Sequence, residues 1–140
     1  MLPLRLAVGC GFIVHGMAKW NRGPEKFGAL LHLIGVPLPV PTAWIVTLVE
    51  VFGGVAIVVG AFVAIASVPL IISMAVAMFA LQVRYGFSSV NTIGLTPSGP
   101  TFGPPGYEIN LLYIAALVLL ALSGPTAVSI DAWRASHRRR

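Results

Sequence analysis

The chain has 140 residues, of which 57% are hydrophobic and only 9% are charged, and its mean hydropathy is +0.91. This composition differs from that of a soluble globular domain and predicts an integral membrane protein. A bilayer core about 30 Å thick needs roughly 20 apolar residues per helix. The length therefore predicts about four spans and excludes a separate catalytic domain. The net charge of +5 does not indicate nucleic-acid binding, because no folded basic surface is predicted.

The apolar runs predict an all-α fold, an integral membrane four-helix bundle that forms a single domain over residues 1–140. The predicted spans are residues 4–20, 42–63, 67–84 and 108–123. The second and third spans come from one apolar run that is too long for a single crossing. We predict a tight turn between them at Ala64 to Pro69, with Ser67 as the N-cap and Pro69 in the first helical turn.

Two longer connections are predicted on one face of the membrane. The first contains Glu25 to Leu33, which predicts a short amphipathic helix on the membrane surface. The second, Tyr85 to Tyr107 between helices 3 and 4, is rich in Gly and Pro, which predicts no regular helix or strand over most of its length. A loop of this length is either functional, here as a lid over the bundle, or disordered. The sequence leaves both open.

The basic tail, residues 131–140, ends in three arginines and follows closely on the fourth span. Under the positive-inside rule this cluster places both termini in the cytoplasm and the long connections outside. The tail would then meet anionic lipid headgroups, which accounts for the basic charge without nucleic acid.

The cysteine and histidine content argues against several kinds of redox site. Cys10 is the only cysteine, so neither an intrachain disulfide nor a C-x-x-C redox pair can form. His15 and His32 are predicted in different environments, which argues against haem. No metal site is predicted, because nothing resembles an E-x-x-H pair on a helix.

A single carboxylate, Glu50, interrupts the apolar run "WIVTLVEVFGGVAIVVG", on the order of 12 Å below the loop-side end of its span. An ionised carboxylate facing lipid would be costly, so it should face the bundle interior. His15, Arg84 and Glu108 fall in the same half of the membrane, and Lys19 is one turn above His15. We predict that these five residues form a polar pocket beneath the long connections.

An alternative is that these charges only set how the helices pack, with Lys19 and Arg84 extending to the interface. Intramembrane ionisable residues are functional candidates by default, which favours the pocket.

Five pieces of sequence occur in a characteristic order. They are Arg5 early in the first span, "HGMAK" at 15–19, "EVFGG" at 50–54, "GYEINLL" at 106–112 and "GPTAVSID" at 124–131. Because these pieces occur in this order and spacing, the chain resembles the DoxX family of small four-helix bacterial membrane proteins. The resemblance implies the bacterial cytoplasmic membrane and a link to thiosulfate:quinone oxidoreduction through the related DoxD type. It also implies complexes with sulfurtransferase and superoxide dismutase in oxidative-stress defence.

The resemblance also implies a polar core. It adds Arg5 to the residues that their predicted depth in the membrane placed in the pocket. The implied core is Arg5, His15, Lys19, Glu50 and Glu108. Arg84 is predicted from the sequence alone.

Two functional hypotheses follow. In the first, the protein is a subunit of a quinone-linked oxidoreductase or oxidative-stress complex, in which His15 and Glu50 are the catalytic candidates and pass protons. The substrate-binding candidates are Arg5, Lys19, Arg84 and Glu108, of which Lys19 and Arg84 would hold an anionic sulfur compound. In the second, it is a non-catalytic membrane anchor or small transporter.

The residues do not indicate a cofactor, and a quinone is the one that the resemblance suggests. The expected partners are membrane lipids, other protein subunits or a homo-oligomer.

Overall fold

The computed structural model describes residues 1–126 and 128–137, and these are mostly helical. In chain order the elements are α1 (Leu2–Arg22), α2 (Pro24–Leu33), α3 (Pro39–Val59), α4 (Val63–Ala77), β1 (Thr92–Thr96), β2 (Gly99–Phe102), α5 (Glu108–Leu122) and α6 (Ile130–His137). A π-helical turn, Met78–Gln82, and a 3-10 turn, Val83–Tyr85, extend α4. The predicted amphipathic helix at Glu25 to Leu33 is confirmed as α2.

The predicted turn at Ala64 to Pro69 is wrong. Helix α3 ends at Val59, and Gly60 follows in the left-handed conformation, with φ +69°, that commonly ends a helix. Helix α4 begins at Val63, so Pro69 lies inside it. The Ser67 hydroxyl donates to the Val63 carbonyl instead of capping a helix. Proline is tolerated inside an apolar membrane helix, so it does not mark a helix start here as it would in a soluble protein.

Helices α1 and α3 pack along each other, and α4 packs against both α3 and α5. The close approach of α1 and α3 depends on glycine. A Cβ atom on Gly9 would lie 2.7 Å from the Gly54 carbonyl oxygen, which is closer than real side chains come. Phe12, Ile57, Leu70 and Leu117 form the fully buried centre of the helices.

The outer surface of the helices is apolar. Two helices are long and apolar enough to cross a membrane, Pro39–Val59 and Val63–Tyr85, and only 28% and 22% of their most apolar windows are buried. Phe52, Ile65 and Phe79 are each about two-thirds exposed or more, at 67%, 70% and 69%. The core helix of a soluble protein would be mostly buried, so this exposed apolar surface is that of a membrane protein.

The connection between α4 and α5 contains a hairpin, whose strands take up nine of the residues from Tyr85 to Tyr107. Most of the connection has no regular structure, as predicted, but the hairpin itself was not predicted, and the all-α fold class is wrong in this respect. Strands β1 and β2 pair antiparallel, with Thr96 opposite Gly99 and Leu95 opposite Pro100. Gly99 has φ +124°, which only glycine adopts readily. The alternation of residues at 92–96 was a strand signal that the surrounding Gly and Pro concealed.

Candidate functional site

Glu50 lies where three helices meet. Its side chain is only 2% exposed, and its Oε2 atom forms an ion pair with the Lys19 ammonium of α1. Its other oxygen, Oε1, accepts a hydrogen bond of 3.2 Å from the Ser73 hydroxyl of α4. The prediction that Glu50 faces the interior is therefore confirmed, and both of its carboxylate oxygens have donors.

A glycine on α1 allows the ion pair to form. A Cβ atom on Gly16 would lie 2.6 Å from the side chain of Val51 and 3.1 Å from Cβ of Glu50. Without a side chain at this position, α1 lies close enough for Lys19, nearly one turn further along, to reach the carboxylate. The "HGMAK" and "EVFGG" segments are thus complementary surfaces of one helix contact.

Lys19 connects this buried carboxylate to the surface. Its side chain is 23% exposed, and its ammonium lies 5.3 Å from the centre of the Phe27 ring of α2. A cation over an aromatic face is favourable by about 0.5 to 2 kcal/mol, depending on solvation. Phe27 of α2 therefore lies against the ammonium, while the Lys19 side chain keeps some contact with the surroundings of the helices.

The structure does not bring the other three predicted residues of the pocket to Glu50. His15 is exposed, and its ring lies 6.1 Å from the Tyr113 ring of α5. Arg84 is exposed and lies over the ring of Tyr85 at 4.8 Å. The Glu108 carboxylate accepts a hydrogen bond of 2.9 Å from the Ser89 backbone N–H.

Among the described residues, none of these three side chains forms an ion pair or hydrogen bond with Glu50. Depth counting places residues along the membrane normal and does not give their direction around each helix. The polar site is consequently smaller than predicted and consists of Lys19, Glu50 and Ser73.

Arg5 lies at the other end of the helices, near the α3–α4 turn and the start of α6, and is 2% exposed. Its guanidinium donates to the carbonyls of Ile57 and Val58 at 3.0 and 2.6 Å, and to Thr126 Oγ1 and the Val128 carbonyl at 2.7 and 2.6 Å. The implied grouping of Arg5 with Glu50 is therefore wrong. Arg5 satisfies the last carbonyls of α3, which have no partner within the helix.

Asp131 has the matching role at the start of α4, and the sequence analysis did not assign it one. Its two carboxylate oxygens accept hydrogen bonds from the backbone N–H groups of Phe62 and Val63 at 2.9 and 3.1 Å. Its own N–H donates to the Gly60 carbonyl at 3.0 Å. An acidic side chain at a helix N-terminus is electrostatically favourable. Asp131 and Arg5 thus fasten the segment after α5 to the α3–α4 turn.

Two cavities lie at this same end. One of about 460 Å³ is bounded by the start of α4, the end of α5 and α6, and one of about 350 Å³ lies between Leu2, Val59 and Trp133. The predicted basic tail is helical up to His137, and Arg138, Arg139 and Arg140 lie outside the described residues.

Asn110 is a buried polar residue that the sequence analysis missed. It is 3% exposed, its amide donates to the Met74 carbonyl at 3.4 Å, and its Oδ1 atom has no hydrogen-bond partner among the described residues. A buried Gln82 oxygen in the π-helical turn also lacks a partner there. π-helical turns occur often at functional sites. The sequence did contain a signal for the burial of Asn110, because it is a polar amide inside the apolar segment "EINLLYIAALVLLAL".

Within residues 1–126 and 128–137, no group of three or more His, Cys, Asp or Glu residues is arranged to hold a metal ion. Cys10 is exposed on α1.

Comparison with known proteins identifies the family. No curated protein and no solved structure is similar enough to match this chain. The DoxX family model matches residues 1–83, more than half of the chain and the part that contains Arg5, Lys19 and Glu50. The chain therefore belongs to the DoxX family.

Proposed function

We propose that α1, α3, α4 and α5 cross the bacterial cytoplasmic membrane as a four-helix bundle, with both termini in the cytoplasm. The exposed apolar side chains of α3 and α4 support this arrangement. Arg5 is compatible with a membrane span in α1 because its charged group is enclosed and bonded to four protein oxygens.

Within this bundle, we propose that the protein is a subunit of a quinone-linked oxidoreductase or oxidative-stress complex. The observation that carries the proposal is the Lys19–Glu50 ion pair, buried between three helices in the loop-side half. Ionisable groups at such depth are costly and usually mark a pathway for protons or ions. Protonation of the Glu50 carboxylate leaves the remaining positive charge on the Lys19 ammonium, whose side chain is 23% exposed and therefore partly solvated.

Reduction of a quinone to a quinol consumes two electrons and two protons. A partner subunit would supply the electrons by oxidising a reduced sulfur compound, since one cysteine cannot form a redox pair in this chain. Glu50 would deliver protons, and Lys19, which is partly exposed, would carry them from the loop-side surface. Arg84 lies in the 3-10 turn that extends α4, where it would attract an anionic substrate, and His15 is the second candidate for proton transfer.

The proposal is tested by ligand-induced stabilisation of the purified protein in mild detergent. A short-chain quinone analogue should raise the melting temperature of the wild type, because a ligand that binds only the folded state stabilises it. Glu50→Gln keeps the shape of the side chain but cannot exchange a proton, and we expect it to lose this response. Glu25→Gln is the matched control, because Glu25 is an exposed carboxylate on α2. A full response in Glu50→Gln would show that the quinone does not contact the ionised Glu50 carboxylate, on which the assigned proton delivery depends.

The second candidate function is a non-catalytic membrane anchor or small transporter. This candidate is favoured by the hydrogen bonding of Glu50. Both of its carboxylate oxygens already accept from protein donors, so a ligand is not needed to satisfy them. The cavities of about 460 and 350 Å³ also lie at the opposite end of the bundle. Co-purification in mild detergent, followed by absorbance and mass analysis, separates the two candidates. A bound quinone supports the oxidoreductase subunit, and a partner subunit without quinone supports the anchor.

A further inference from the structure

The hairpin between α4 and α5 has one apolar face and one polar face. Side chains alternate along a strand, and directly opposed residues share a face. Leu95 of β1 therefore lies on the same face as Pro100 and Phe102 of β2, and Leu95 is paired with Pro100. A bulge between Thr92 and Gly94 interrupts the alternation, and Thr92 is the residue paired with Phe102. The opposite face carries Gly94, Thr96, Gly99 and Thr101.

The apolar face is not covered by the described part of the chain. Leu95 and Phe102 are 83% and 60% exposed, and Pro100 is also exposed. The strands pack mainly on each other, and neither packs extensively against a helix. A hairpin of two strands is marginally stable at best alone in water, so an environment that covers this face would stabilise it.

The hairpin is held close to the ends of α4 and α5. The backbone N–H groups of Gly106, Tyr107 and Glu108 donate to the carbonyls at residues 88, 86 and 87, at 2.9, 3.1 and 2.9 Å. A Cβ atom on Gly106 would lie 2.2 Å from a carbonyl oxygen, so only glycine allows this approach. The base of the hairpin is therefore rigidly attached at the level where the proposed spans leave the membrane.

The chemistry of the segment matches the surface of a bilayer. No Asp, Glu, Lys, Arg or His occurs from Tyr85 to Tyr107. The rings of Phe87 and Tyr107 pack edge to face at 5.5 Å at the base of the hairpin, and aromatic side chains are enriched at membrane interfaces. A protein partner normally fixes its register through charged and polar groups around an apolar centre, and this face has no charged group.

We propose that the hairpin lies on the loop-side surface of the bilayer, with Leu95, Pro100 and Phe102 inserted among the lipids. The threonine face points to water. The open edges of the strands remain in the hydrated interface, since unpaired backbone groups are not tolerated in the hydrocarbon region. This inference rests on the proposed membrane embedding. It makes the hairpin a lipid-binding surface rather than a lid over the helices.

The test uses single cysteines that carry an environment-sensitive fluorophore, in the full chain with Cys10→Ala. Leu95→Cys places the label on the apolar face, and Thr101→Cys, on the opposite face of the same hairpin, is the matched control. Phe52→Cys reports on the embedding of α3, because Phe52 is 67% exposed there. All three sites are exposed, so the substitutions should leave the fold intact. The proteins are reconstituted in phosphatidylcholine vesicles with and without brominated acyl chains, which quench labels within the bilayer.

We expect the label at Leu95 to emit at shorter wavelength and to be quenched about twofold more strongly than the label at Thr101, since interfacial apolar groups enter the boundary between headgroups and acyl chains. Equal, weak quenching at the two sites would place the hairpin in water and overturn the proposal. A short emission wavelength at Leu95 without quenching would also overturn it, because the face would then be covered by protein.

The label at Phe52 separates this proposal from the one on which it rests. If Phe52 is quenched and Leu95 is not, only the hairpin proposal fails. If Phe52 is not quenched, the membrane embedding fails and the hairpin proposal fails with it.

Discussion

Removal of the Lys19 ammonium should destabilise the protein measurably, because it leaves Glu50 buried with one remaining donor. In Lys19→Met the apolar stem is retained, and the Ser73 hydroxyl, at 3.2 Å, is the remaining hydrogen bond to the carboxylate among the described residues. Removal of one partner from a buried ion pair costs about 3 to 5 kcal/mol. The Lys19 side chain is 23% exposed while Glu50 is 2% exposed, so solvent screens the pair partly. We therefore expect a loss near the lower end, about 3 kcal/mol.

A double-mutant cycle isolates the interaction. Glu50→Leu alone leaves a partly buried ammonium, whereas Lys19→Met with Glu50→Leu replaces both charges by apolar groups. Replacement of a whole buried pair is often neutral, so the double variant should recover most of the loss, with a coupling energy of about 2 to 3 kcal/mol. The free energy of unfolding is measured by denaturant titration in mild detergent with circular dichroism.

Lys26→Met is the matched control for this cycle. Lys26 is exposed on α2 and makes no ion pair among the described residues, so its replacement should change stability by no more than about 0.5 kcal/mol. The reasoning is refuted if Lys19→Met costs no more than Lys26→Met. It is also refuted if the losses of the two single variants simply add, because the ion pair would then make no contribution.

Three further predictions follow from the placement of the other charges. Arg5→Met should lower the free energy of unfolding by at least about 3 kcal/mol, since hydrogen bonds to charged groups contribute about 1.5 to 3 kcal/mol each; an unchanged thermal midpoint relative to the exposed Arg22→Met would contradict it. Arg84→Ala should change apo stability by less than about 1 kcal/mol but abolish stabilisation by thiosulfate, and persistence of that thermal shift would exclude Arg84 as the anion site. A reporter that is active only in the cytoplasm, fused after Arg140, should be active, and a periplasmic signal would reverse the orientation.

Much of the helical organisation was predictable from local sequence. Hydropathy and helix periodicity identified the apolar helices and α2, because these depend on short-range composition. The turn after α3 was misplaced, because Ser67 and Pro69 are strong helix-start signals in water while Gly60 is the residue that actually ends the helix. The hairpin was missed because its five-residue strand is short and lies among residues that usually exclude strands.

The burial of Glu50 could be inferred from the sequence, since an isolated carboxylate in an apolar helix has few stable alternatives to the protein interior. Its partner could not be identified, because His15, Lys19, Arg84 and Glu108 lie at similar depth. Only helix packing decides among them. The glycine contact between α1 and α3 brings Lys19 to the carboxylate, while His15 lies beside Tyr113.

Residues near the two ends of the chain show the same difference between what the sequence determines and what the tertiary structure determines. The sequence by itself placed Arg5 and Asp131 126 positions apart, and only Arg5 lies within the residues that the DoxX family model matches. Only the tertiary structure decided that both bind the α3–α4 turn, one at the free carbonyls of α3 and the other at the free N–H groups of α4. The physical reason is that local sequence sets where a helix ends and leaves backbone groups unpaired, whereas the side chain that satisfies them comes from whichever distant segment the fold brings there.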